Sequence, residues 1–377
     1  MSPVASTQLF PEVVDASTLG GKFQQAMALP VGVEGQADAA GSGTVGVLYT
    51  ISRGSDADTY FGPVSTLSTL VKNLLQKGVY PVYAIISAKA TLPTLAQRQA
   101  AWAELENKLY IRIRMTDSLL NSDHVALGTS CDNANLMSMK QFAIVGMASA
   151  TTKAALISAA TAIGSKRVVL VGPGIYDETG TLQTGRYAAT CVAAMVAANF
   201  DPSDDMDLAL VPATTGIELD SNGFPIFREK VVSGSVVNDF EDLLQGGVSP
   251  LQPGRNGGVA LTHLRTTWKT DGTFDALMTR LIIDQLFVDV REYCYDQNFL
   301  RKGNTQVNRD LLASGVQRIL QDRSDWIQPL QQPDGTMGYR VGVVPSVDQR
   351  QMIVNYEGLV VRGVQTIQVD AQLQIAA

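Results

Sequence analysis

The sequence predicts a mixed α/β fold, and three patterns carry that expectation. Short apolar strands alternate with helical stretches from Ala26 to about residue 200, two long amphipathic helices follow residue 275, and a regular alternating strand closes the chain. With 377 residues, 45% of them hydrophobic and 17% charged, the chain is long enough for one large or two medium domains with real cores.

Residues 1–24 carry Pro3 and Pro11, little periodicity and the pair Gly20-Gly21, the pattern of an arm outside the core. Val31-Gly32-Val33 and Val45 to Ile51 read as strands. Leu67, Leu70, Val71, Leu74 and Leu75 then recur at helical spacing, with Ser65 or Thr66 as the cap and Gly78 placed where a left-handed terminating residue is wanted. A strand rich in Val, Tyr and Ile is expected over Val79 to Ile86. The alternation continues with a helix near Leu95 to Leu109, a strand at Phe142 to Val145 and a helix at Thr151 to Ile163. A strand at Arg167 to Val171 and a helix at Gly185 to Asn199 complete it. That last helix presents Ala188, Ala189, Ala193, Ala194, Ala197 and Ala198, small side chains that let it approach its neighbours closely.

Asp201 to Arg255 is looser and rich in Asp, Ser and Gly. Leu277, Leu281, Ile282, Leu286 and Val290 mark one face of a helix over Asp275 to Asp296. Val307, Leu311, Val316, Ile319 and Leu320 mark the face of another over Thr305 to Asp322. At the end, Ile367, Val369, Ala371, Leu373 and Ile375 alternate with Gln368, Asp370, Gln372 and Gln374. Strand edges are normally blunted by charge, proline or a bulge, and this one has almost none of those. It is either the last strand of the chain's own sheet or a strand donated to a neighbour, and the loose amino-terminal arm favours the second.

A net charge of −7 with no Lys or Arg run argues against a nucleic-acid partner. Cys131, Cys191 and Cys294 are odd in number, widely spaced and without a CxxC pair, so they are expected to pack as small apolar groups in a reducing compartment. Met-Ser-Pro-Val-Ala-Ser-Thr lacks the basic start and apolar run of a secretory signal. The most apolar stretch, Tyr187 to Ala198, falls short of the twenty or so residues a membrane helix needs.

No motif carries catalysis, a cofactor or a metal. Gly41-Ser42-Gly43-Thr44-Val45-Gly46 matches the GxGxxG spacing but leads into a strand, where a dinucleotide site needs a helix. Leu170-Val171-Gly172-Pro173-Gly174 follows a strand, yet no Lys-Ser or Lys-Thr comes after it and Pro173 lacks a backbone donor. His124 and His263 have no ligand-like spacing, and no GxSxG elbow accompanies them. Asp201, Asp204, Asp205 and Asp207 lack the central glycine and terminal Glu of an EF-hand loop, which favours a solvated loop.

The order of these features resembles the contractile phage tail sheath family. The likeness begins with Leu29-Pro30-Val31-Gly32-Val33-Glu34-Gly35, Tyr60-Phe61-Gly62, the leucine-rich helix and Gly78-Val79-Tyr80-Pro81. It continues through Arg186 to Pro202, Leu243 to Leu251, Leu264-Arg265-Thr266-Thr267, the helix carrying Arg280 and Asp284, Phe299 and the second long helix. It spans roughly residues 28–377; residues 1–24 match the pattern poorly, and the chain is short for the family, so added outer domains are expected to be missing.

The resemblance implies a two-domain subunit with extended arms: an arm at 1–24, an inserted outer α/β domain at 25–258, an inner tube-facing domain at 259–363 and a strand arm at 364–377. The arms, with Phe10, Val13 and Val14 at one end and Ile367, Val369, Ala371, Leu373 and Ile375 at the other, would add strands to neighbouring subunits. Arg309 and Arg318 are candidates for the tube-facing surface, with a solvated helix face as the plain alternative. The implied partners are other copies in hexameric rings and a helical polymer, the tail tube protein, and the baseplate and tail terminator proteins. The implied place is the virion tail, after assembly in the host cytoplasm. The competing expectations are an α/β nucleotide-binding enzyme and another tail or baseplate component.

Overall fold

The computed structural model describes residues 29–360, apart from 109, 138, 199–208, 213, 233–234, 255–257, 271–275, 300–301, 332–335 and 346–351. Both expected arms, with Phe10, Val13, Val14, Ile367, Val369, Ala371, Leu373 and Ile375, lie outside the described residues, as does the Asp201 to Asp207 cluster.

The first half runs β1 (Val31–Ala37), β2 (Leu48–Ile51), α1 (Gly54–Phe61), α2 (Thr66–Gln76), β3 (Val82–Lys89), α3 (Leu95–Glu106), β4 (Ile113–Thr116), α4 (Asn121–Leu136), β5 (Phe142–Gly146), α5 (Lys153–Ile163) and β6 (Val168–Gly172). Next come β7 (Ile175–Asp177), β8 (Leu182–Gln183), α6 (Gly185–Ala198), β9 (Leu210–Val211), β10 (Thr214–Ile217), β11 (Glu229–Val232), β12 (Ser235–Asn238), α7 (Asp239–Gln245), β13 (Ser249–Pro253) and β14 (Val259–Leu261). The chain then forms α8 (Leu277–Asp296), α9 (Gln306–Asp322), β15 (Ile327–Gln328), β16 (Leu330–Gln331), β17 (Met337–Gly338), β18 (Arg340–Pro345), β19 (Met352–Glu357) and β20 (Leu359–Val360).

Local chemistry explains the helix starts. The Ser65 hydroxyl accepts from the Ser68 N–H at 3.0 Å and opens α2, whose Leu67, Leu70, Val71, Leu74 and Leu75 are all buried. Thr94 and Gln97 form a capping box on α3, Thr152 caps α5 and Thr305 caps α9. The strand expected from Val45 begins only at Leu48, because the chain turns at Val45-Gly46 with Gly46 at a φ of 78°.

Nine strands make the main sheet in the order β2-β3-β1-β4-β5-β6-β13-β14-β9. Pairing is parallel from β3 through β13, while β2, β14 and β9 join antiparallel to their neighbours. One face packs on α1, α2 and α6 through Val31, Val33, Ile113, Ile144 and Val169; the opposite face packs on α3, α4, α5 and α7 through Ile85, Val145 and Leu170. Alternate residues of the parallel strands thus serve two cores, as a doubly covered sheet requires. The glycine start and many alanines of α6 let it lie close: a Cβ on Gly146 at the end of β5 would collide with the Gly185 backbone at the helix start.

The hairpin of β13 and β14 spans residues 258 and 259, and Leu261, Leu264, Leu277 and Leu281 all belong to the core of the main sheet. A separate core starts one residue along α8, where Ile282, Leu286 and Val290 meet Leu312, Val316 and Leu320 of α9, with Trp326 and Ile327. Helix α8 therefore serves both cores.

Candidate assembly surface

The second core is capped by a two-stranded antiparallel hairpin, β18 and β19, in register from Arg340 opposite Glu357 to Pro345 opposite Met352. Val341, Val343, Met352, Val354 and Tyr356 point inward against α9. The alternate residues point out: Val344 and Ile353, directly paired, are 46% and 45% exposed, and Arg340 meets Glu357 at 3.3 Å in water. That surface ion pair is worth little. Among the described residues no strand pairs with the outer edge of β18 or of β19.

Helix α9 lies under this hairpin and keeps an apolar pair on its other side, Val307 at 67% exposure and Leu311 at 53%. Arg309 is committed locally: its guanidinium donates to the Asn304 carbonyl and side chain and to Gln306 Oε1 at 2.7 Å, tying down the start of α9. Arg318 extends into solvent with only a loose 3.9 Å approach to Asp322.

A buried polar relay fixes this unit to the sheet. Arg167, at the start of β6, grips Asp284 of α8 with both terminal nitrogens at 2.8 and 3.0 Å, and Arg280 approaches the same carboxylate at 3.1 Å. Arg112, before β4, donates to Gln285 at 3.4 Å, Gln285 donates to Asp289 at 2.7 Å, and Arg323 at the end of α9 reaches Asp289 at 3.0 Å. Side chains from the strand starts thereby hold α8, and α8 holds α9.

The motifs that suggested chemistry take structural roles. Gly41 to Gly46 runs as a loop into β2, with Gly43 N–H bonded to the Tyr60 carbonyl, and no helix opens from it. Gly172-Pro173-Gly174 joins β6 to β7, and the Gly174 N–H is bonded at 2.9 Å to the buried Glu218 carboxylate. His124 is wholly buried on α4 beside the Ser118 carbonyl at 3.0 Å, and burial lowers its pKa, which keeps it neutral. His263 is buried beyond β14. Cys131 and Cys191 are buried and unpaired, Cys294 is half-buried, and burial holds the Cys191 thiol up at about 11. Among the described residues no group of three His, Cys, Asp or Glu is placed to hold a metal ion, and no helix is long and apolar enough to cross a membrane.

A buried charge cluster escaped sequence reading. Arg98 on α3 contacts Glu34 at 2.8 Å, Asp117 at 2.7 Å and Asp123 at 3.1 Å, and Thr116 and Trp102 donate to the same Glu34 carboxylate. The signal in the sequence was Glu34 after the apolar Val31-Gly32-Val33 start of β1.

No family profile matches the chain, and no curated protein matches it. Solved structures do. A chain of the six-fold symmetrised baseplate of the anti-feeding prophage is 13% identical with a TM-score of 0.66, covering 100% of both chains. The contracted helical sheath of the same prophage gives 14% identity and a TM-score of 0.63 over 99% of each chain. A sheath tail protein from Desulfitobacterium hafniense gives 12% identity and 0.60, covering 89% of this chain and 98% of that one. The two likenesses to the prophage chains extend over 99–100% of this chain. The chain therefore has the fold of the sheath proteins of contractile injection systems.

Proposed function

We propose that the chain is the polymerising subunit of a contractile tail sheath and that it acts without catalysis. Fold alone does not fix function; the observation that carries the reading is the hairpin of β18 and β19, a sheet too small to stand by itself and, among the described residues, unpaired at both edges. The segments 1–24 and 364–377, read as arms from their sequence, would supply strands of the kind such edges accept, and Ile367, Val369, Ala371, Leu373 and Ile375 would present one apolar face. Strand exchange of this kind is heterologous and does not close on itself, which yields stacked helical arrays. We take the subunits to form hexameric rings around a tail tube, between baseplate and terminator proteins, in a phage-like particle assembled in the host cytoplasm.

In this reading the extended sheath is a metastable packing held by weak tube contacts, and release lets subunits shift into a lower-energy packing. The relay through Arg167, Asp284, Asp289 and Arg323 suits it, since it would move the hairpin with the sheet. We assign the outer α/β domain to the main sheet and the inner domain to α9 and the hairpins, with the division inside α8 near Ile282. The tube-facing surface we assign to α9, where Arg318 is the more available of the two arginines. A position next to the baseplate is a second reading, favoured by the likeness to a baseplate chain.

The test compares the full chain with one lacking residues 364–377 by sedimentation. Pelleting polymer from the full chain and a folded, soluble truncation are expected. Equal polymerisation of both contradicts the strand-exchange assignment.

A further inference from the structure

The main sheet has a topological switch point. From β1 the parallel strands step to β3 on one side, and from β4 onward to the other, so the carboxy ends of β1 and β4 border the crevice where open doubly wound sheets receive ligands. That crevice is filled from within. Glu34 on β1, Asp117 just past β4 and Asp123 on α4 bring three carboxylates to one place, and all three are at most 5% exposed. Gly35 makes the room, since a Cβ there would strike the Asp117 carboxylate. The occupant is the Arg98 guanidinium, delivered by α3, the helix that crosses from β3 to β4.

We propose that the switch-point crevice is a cation site for a planar guanidinium group, occupied in this chain by its own Arg98 as a built-in ligand. Nη1 takes both Glu34 oxygens, at 2.8 and 3.0 Å, and Asp117 Oδ1 at 2.7 Å, while Nε faces Asp123 at 3.1 Å. The acceptors are themselves fixed: Asp117 Oδ2 accepts from the Gln36 N–H and the Thr66 hydroxyl, and Asp123 Oδ2 accepts from the Ser118 hydroxyl. The other charged or titratable groups facing the cluster are Arg114 of β4, whose charge reaches Glu34 while its guanidinium donates to Ser130 and the Trp102 carbonyl, Arg186, which donates to the Asp117 carbonyl, and neutral His124. None of them replaces Arg98 in contact with the carboxylates. Without it, three buried carboxylates must recruit a cation or protons. Burial and the Asp117 charge already hold the Glu34 carboxyl above the ordinary range even with Arg98 present.

The test is rescue of full-length Arg98→Ala by methylguanidinium, with equal sodium chloride as the ionic-strength control. A site with a dissociation constant near 10 mM would raise the melting temperature of the variant by about 1.4 °C at about 50 mM ligand, while the wild type, its crevice filled, is unchanged or lowered. Acidification should rescue the same variant, because protons substitute for the cation. A response identical in variant and wild type overturns the proposal. Should Arg98→Ala not fold, Arg98→Ala with Glu34→Gln is the second variant. Recovery of a cooperative melt supports the carboxylate excess as the cause, and a double variant as unfolded as the single one overturns it.

Discussion

Arg167 and Asp284, 117 residues apart, meet as a two-pronged ion pair at 2.8 and 3.0 Å with both side chains almost entirely out of solvent. The first stands at the start of a central strand and the second on α8, so the pair couples the sheet to the helix that carries the second core. Removing one partner of such a pair strands the other as a buried charge. Asp284→Ala removes the carboxylate that Arg167 and Arg280 share and is expected to cost about 3–5 kcal/mol in denaturant unfolding. A loss within the roughly 0.5 kcal/mol typical of surface substitutions contradicts the coupling role.

Gly146 and Gly185 bring sheet and helix into close approach, with the Gly185 N–H bonded to the Met147 carbonyl at 2.8 Å. A methyl group at residue 146 meets backbone, which cannot swing aside. Gly146→Ala is expected to lower stability by about 1–3 kcal/mol, the range for overpacking, read as a lower denaturant midpoint.

Much of this architecture was legible in the sequence, because helices such as α2 and α8 bury one regular apolar face, whereas on α9 the expected Val307 and Leu311 are exposed and Leu312 is buried beside Val316 and Leu320. Two central elements were not. Strand β4 reads Ile-Arg-Met-Thr after Arg112, and charged side chains in a fully buried strand look like a loop until their partners are seen. Arg114 donates to Ser130 and to the Trp102 carbonyl, and Arg112 reaches Gln285. Helix α4 buries Asp123, His124, Gly128 and Ser130 beside Leu127, Cys131 and Ala134, so polar and small residues dilute its apolar stripe. The hairpin of β18 and β19 was hidden for another reason: with one face in solvent, its valines alternate with Arg, Gly and Asn over only six residues per strand. The Arg98 cluster joins β1, α3, β4 and α4, a contact that only tertiary structure creates.

The exposed pair on α9 separates stability from assembly. Val307 and Leu311 are 67% and 53% exposed in the isolated chain, so Val307→Asp with Leu311→Asp is expected to leave the melting temperature within about 2 °C, the scale of a surface change. Co-sedimentation with a tube, by contrast, should weaken at least tenfold. Unchanged tube binding contradicts the placement of the tube contact on α9.

Acid stability carries a signature at Asp177. The Thr179 hydroxyl, followed by the Thr181 N–H, the Gln183 amide and the Thr179 N–H, holds its carboxyl down at about 2 against the opposing effect of desolvation. A carboxyl lowered on folding stabilises above its unfolded value and loses that contribution as pH falls through about 4 towards about 2. Asp177→Asn should therefore show a shallower fall in melting temperature across that window, with wild-type and variant curves converging at the acid end. Parallel curves contradict the assignment.

The most direct test of the central claim is negative-stain electron microscopy of the purified full-length chain at high concentration and moderate salt. The sheath account predicts long hollow tubes of uniform diameter, in the contracted packing because no tail tube is present to hold the extended one. Monodisperse single particles that stay so when a tail tube is added contradict it.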